Sequence, residues 1–114
     1  MSTPTPPKDL GAAGRKLWRA ITAEHDLEPR ELAILLEAAR QVDALESLAA
    51  ALAKDGHTVT GAAGQTRLHP AITEARQGRL ALGRLLDLLH LPAEEGEPRK
   101  DRAQQRRISK RWSA

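Results

Sequence analysis

The sequence predicts a mainly α protein. A short N-terminal helix precedes a long antiparallel helical hairpin with a small β-hairpin at its tip, between a disordered N-terminus and a basic C-terminal tail. Three observations predict this. Apolar residues recur with a helical period over about residues 10–24, 28–55 and 70–90. Pro29, Gly56 and Pro70 stand where those helices would start or stop. Aromatic residues make up only 2% of the chain, Trp18 and Trp112, so a core must be built from Leu, Ala, Ile and Val, which suits narrow helix–helix seams.

Residues 1–8, MSTPTPPK, are rich in Pro and Thr, which predicts a disordered arm. Asp9 is placed to cap the first helix. Leu10, Ala13, Leu17, Trp18 and Ile21 then share one helical face. Gly11 and Gly14 each weaken the helix start by up to about 1 kcal/mol relative to Ala, and such glycines more often serve close packing than chemistry. The stretch EHDLEP breaks the pattern. Pro29 suits the first turn of a second helix, and Glu28 and Glu31 suit its positive end. That helix continues to about Asp55, stops at Gly56, and would be roughly 40 Å long. Its stripe is Leu35, Ala38, Val42, Leu45, Ala49 and Leu52, in steps of three and four, which is coiled-coil spacing.

His57-Thr58-Val59-Thr60 has strand character, and Gln65-Thr66-Arg67-Leu68 can return as its partner across a Gly-Ala-Ala-Gly tip. A tight helix–helix connection needs only about two to eight residues, so this longer segment is expected to project from the end of the helical hairpin. Pro70 opens the third helix, whose main face is Ile72, Ala75, Leu82, Leu85, Leu86 and Leu89. Residues 9–92 thus form the helical domain, and residues 93–114 a polar linker and basic tail.

Charge is divided along the chain. Residues 1–98 carry 11 Lys+Arg against 14 Asp+Glu, net −3, whereas residues 99–114 carry 7 against one, net +6. The tail cations Arg99, Lys100, Arg102, Arg106, Arg107, Lys110 and Arg111, ending beside Trp112, could bind phosphates by counterion release, fold on an acidic partner, or serve only as a solubilising tail without specificity. A smaller cluster, Arg15, Lys16 and Arg19, lies on the first helix, with Arg15 and Arg19 as i, i+4 neighbours beside the apolar face, and ordinary surface charge explains it equally well. Leu32, Leu36 and Leu48 beside the second helix's stripe, and Leu80, Ala81 and Leu88 off the third helix's main face, widen the apolar surface. Either the first helix covers them, or they mark self-association.

No enzyme signature is present: there is no Gly-x-Ser-x-Gly, no Gly-x-Gly-x-x-Gly and no Gly-Lys-Ser/Thr phosphate loop. The two GAAG runs, 11–14 and 61–64, read as helix-start and turn chemistry rather than as KH-type phosphate clamps. With no cysteine and no i, i+4 pair among His25, His57, His69 and His90, no metal and no cofactor is expected. His69, just before Pro70, is expected to satisfy backbone groups at the helix start. Glu94, Glu95 and Glu97 read as solvated charges. Neither a membrane span nor a signal peptide is expected.

The order of motifs adds to this. LGAAGRKLWRAITAEHDLEPRELAILLEAAR, followed downstream by GAAGQTRLHPAITEARQGRLALGRLLDLLHL, resembles the tailed-bacteriophage terminase small subunit family over about residues 10–92. The shared features are a Leu-Gly, Gly-Arg, Leu-Trp helix, an acidic linker with Pro, a long Leu/Glu/Ala helix, a Gly turn, a His-Pro and a Leu-rich helix. The resemblance implies a non-enzymatic DNA-packaging factor in the host cytoplasm. Such a factor assembles as a ring-like homo-oligomer, binds viral double-stranded DNA, and recruits and regulates the terminase large subunit, which holds the ATPase and nuclease. It implies DNA contact by Arg15, Lys16 and Arg19, and contact of the tail with DNA or the large subunit. The chain differs from fuller members in its short N-terminal arm and in having no separate helix-turn-helix domain. The residues themselves also allow a small nucleic-acid-binding or adaptor protein that works as a monomer or dimer through its basic tail.

Overall fold

A computed structural model describes residues 3–91. The element order is α1 (Ala12–Glu24), α2 (Pro29–Asp55), β1 (Thr58–Thr60), β2 (Thr66–Leu68) and α3 (Pro70–Leu89). The mainly α architecture and the β-hairpin between the two long helices are as the sequence predicts. The tail cations Arg99 to Arg111, Trp112 and the linker glutamates fall outside the described residues.

Local chemistry explains the boundaries. Glu28 and Glu31 form a reciprocal capping box at the start of α2, with Pro29 in its first turn. Gly56 ends α2 at φ 80°, a conformation that costs an L side chain dearly. The strands pair antiparallel, with Thr58 opposite Leu68, Val59 opposite Arg67 and Thr60 opposite Thr66. The connection between them is residues 61–65, one longer than the Gly-Ala-Ala-Gly tip. Gln65 belongs to it because its carbonyl accepts from Gly61 N at 2.7 Å and its side chain accepts from Ala63 N at 3.0 Å. Gly64 takes φ 84°.

One departure concerns the start of α1. Asp9 does not cap α1. The N-cap is Gly11, which has no side chain to accept, and the acceptor comes from another element: the Asp43 carboxylate on α2 takes Gly11 N at 2.7 Å and Gly14 N at 2.8 Å. A carboxylate from α2 therefore neutralises the positive end of α1 and fixes the two helices together. Asp9 instead approaches Arg40 at 3.4 Å. Residues 3–8 take no helix or strand and lie against α1. Trp18 Nε1 donates to Pro4 O at 2.9 Å, and Arg15 donates to Lys8 O at 3.0 Å. Prolines at 4, 6 and 7 lower the entropy lost in holding this segment still.

α2 is the spine. Gly78 of α3 faces Gln41 and Leu45, Asp55 meets His69, and Leu35 shares a cluster with Leu89, so α2 and α3 run antiparallel along their whole length. α1 meets α2 at Ala39 and Asp43. The core therefore sits at one end, where Leu10, Trp18, Leu35, Ala39 and Leu89 are buried together and Leu17, Ile21, Leu27 and Ile34 pack against them. Away from this end the buried residues of α3 are Ala71, Ala75 and Gly78, and Gly78 lies against the Gln41 and Leu45 side chains of α2. The coiled-coil stripe of α2 follows this change: Leu35 and Ala38 are buried, Val42, Leu45 and Leu52 half-buried, and Ala49 exposed.

Candidate nucleic-acid interface

The candidate surface is built from how α1 docks. At Gly14 a Cβ would lie 2.5 Å from Asp43 Oδ2 and 2.7 Å from the Ala39 carbonyl oxygen, so only glycine allows the approach. This contact, with Trp18 buried beneath, turns one face of α1 towards α2. Residues 12, 15, 16, 19 and 20 recur at i, i+3, i+4, i+7 and i+8 on a different face. There Ala12, Arg15, Lys16, Arg19 and Ala20 line one open depression. The three cations expected to contact DNA are therefore brought together by a single helix.

Their electrostatic setting differs from that of Arg40, which pairs with Glu37 at 2.9 Å and Asp9 at 3.4 Å. Among the described residues, no carboxylate lies within ion-pair distance of Arg15, Lys16 or Arg19. Lys16 and Arg19 are exposed; Arg15 is half-buried and shares its guanidinium with Lys8 O. A cation without an internal counterion keeps its full attraction for phosphate.

Helix termini do not add to this surface. The first turn of α1 is taken by Asp43, that of α2 by Glu28 and Glu31, and that of α3 by His69, whose Nδ1 accepts from Ala71 N at 3.0 Å. The last is the helix-start role expected of His69. Each of these helix starts therefore already holds a side-chain acceptor where an anion would sit. Both GAAG runs have the expected structural roles, one in the α1 start and one in the hairpin tip. Among the described residues no group of three or more His, Asp or Glu could hold a metal ion, and no helix is long and apolar enough to cross a membrane.

The expected self-association residues separate into three groups. Leu32 and Leu36 pack against the core cluster, so intramolecular packing accounts for them. Leu48 and Ala81 are half-buried. Leu80 and Leu88 remain open at 60% and 47% exposure. Two further exposed leucines escaped the sequence reading, Leu68 and Leu86. Helical period assigns Leu86 to the buried face, but it is exposed. Strand alternation could have flagged Leu68, which shares a face with the exposed Thr66.

The fold and surface define a class: a three-helix protein with a protruding two-stranded hairpin, a basic outer face on α1 and open leucines along α3. No family model, curated protein or solved structure matches the chain.

Proposed function

We propose that this protein is a non-enzymatic terminase small subunit, acting in the host cytoplasm. It would bind viral double-stranded DNA, associate with copies of itself as a ring, and engage the terminase large subunit. The observation that carries the DNA part is the group Arg15, Lys16 and Arg19 on one outer face, without carboxylate partners. The packaging part rests on the motif order across residues 10–92. Self-association is supported by Leu80 and Leu88, which remain largely open to solvent. The tail cations from Arg99 to Arg111, with Trp112, extend the DNA or large-subunit contact.

The test is DNA binding by the full chain over a range of salt. Replacing Arg15, Lys16 and Arg19 together by Ala weakens binding and flattens the dependence of log affinity on log salt by about 0.9 per phosphate contact removed. Replacing the tail cations weakens DNA or large-subunit binding. If affinity and slope are unchanged in the α1 variant, α1 is not the DNA surface; if neither binding changes in the tail variant, the tail has neither role.

A second reading is a monomeric or dimeric nucleic-acid-binding or adaptor protein. The covering of Leu32 and Leu36 by intramolecular packing favours it, because it removes two residues from the self-association set. Steep salt dependence without any effect on a large subunit would select this reading.

A further inference from the structure

The junction where the β-hairpin meets the helical arm is built around one imidazole. His69 precedes α3, and its side chain is only 13% exposed. Nε2 lies 3.0 Å from Asp55 Oδ2 at the end of α2, and Nδ1 accepts the Ala71 N–H at 3.0 Å. The backbone N–H of the same residue donates to His57 O at 2.8 Å, closing the foot of the hairpin. One residue thus joins the end of α2, the root of both strands and the first turn of α3.

These contacts fix the proton. The Ala71 amide can only donate, so Nδ1 must be bare; the carboxylate of Asp55 can only accept while ionised, so Nε2 must carry the hydrogen. We propose that His69 is a pH-sensitive clip: neutral and in the Nε2–H form it caps α3, and on protonation it releases that cap while keeping its hold on Asp55. A proton added at Nδ1 faces the Ala71 N–H with another N–H, so the first turn of α3 loses its side-chain acceptor. Nε2–H still donates to Asp55 and now does so as a cation, which strengthens that bond. Acid therefore loosens the α3 side of the hairpin root without separating α2 from it. Asp55 is the charged side chain in contact with the ring among the described residues. His57 contributes its carbonyl, and the next charged residues along the joined elements are Lys54, Arg67 and Glu74. This inference does not depend on DNA binding.

The experiment is nuclear magnetic resonance on the full-length protein over a series of falling pH values, reading the His69 ring nitrogens and the exchange of the Ala71 amide. At neutral pH the ring proton resides on Nε2. As the ring gains its second proton, the Ala71 protection factor falls about fivefold, the ratio expected for a typical side-chain cap. Protection at Ala38 and Ala39 in the middle of α2 stays constant. In His69→Asn the amide side chain can still cap but cannot titrate, and Ala71 protection becomes independent of pH. A proton on Nδ1 in the neutral ring overturns the proposal. So does Ala71 protection that ignores the ring's titration, an equal loss in His69→Asn, or a parallel loss at Ala38 and Ala39.

Discussion

α1 and α3 both pack on α2, and they do so in opposite ways. α1 turns its large apolar residues inward, Trp18 buried and Leu17 and Ile21 half-buried, and leaves cations outside. α3 turns small residues inward along its first half, Ala71, Ala75 and Gly78, and leaves leucines outside. A core of large side chains holds helices by burial. Along the first half of α3 the small residues are the buried ones, with Gly78 against the Gln41 and Leu45 side chains of α2, and larger apolar groups are left on the far side. The first arrangement makes one end of the molecule self-sufficient. The second leaves a surface suited to a partner, and the proposed function assigns DNA to the outside of α1 and a second copy to the outside of α3.

Substitutions can break this comparison. The largest effect is expected at Leu35, which is fully buried: Leu35→Ala costs about 3 kcal/mol in chemical denaturation. Gly14→Ala follows, at about 2 kcal/mol, because the new methyl group meets the Ala39 carbonyl oxygen as well as Asp43. Asp43→Ala removes the acceptor for Gly11 N and Gly14 N and lowers stability by about 1 kcal/mol, with α1 amides losing protection before those of α3. On α3 the sign reverses. A Cβ at Gly83 meets open space, so Gly83→Ala raises stability by up to about 1 kcal/mol through helix propensity. Leu80→Ala and Leu88→Ala change the stability of the isolated chain least, within about 0.5 kcal/mol.

The sequence made α1's side of this comparison easy to read and α3's side hard. Large apolar residues at helical spacing marked Leu10, Trp18 and Leu35 as core, and Pro29, Gly56 and Pro70 marked the ends of the long helices. Small residues carry no such signal. Ala71 and Gly78 are buried, Gly78 against the Gln41 and Leu45 side chains of α2, which is a property of the pair of helices rather than of either sequence. The Asp43 clamp was hidden for a related reason: a cap supplied from 32 residues away has no local spacing to recognise, and Asp9 stood nearer in sequence. The cation cluster on α1 was legible because one helix supplies all of it. Leu32 and Leu36 could not be assigned to core or surface before α1 was placed.

The most direct test is the native mass in solution, by light scattering after size exclusion, at two concentrations and two salt levels. Both the wild type and Leu80→Glu/Leu88→Glu would be measured. The account predicts a discrete high-order oligomer for the wild type and a smaller species, with unchanged helical content, for the double variant. A wild type that stays monomeric or dimeric throughout, or an oligomer that tolerates both glutamates, would contradict the assignment of α3's outer face to a second copy.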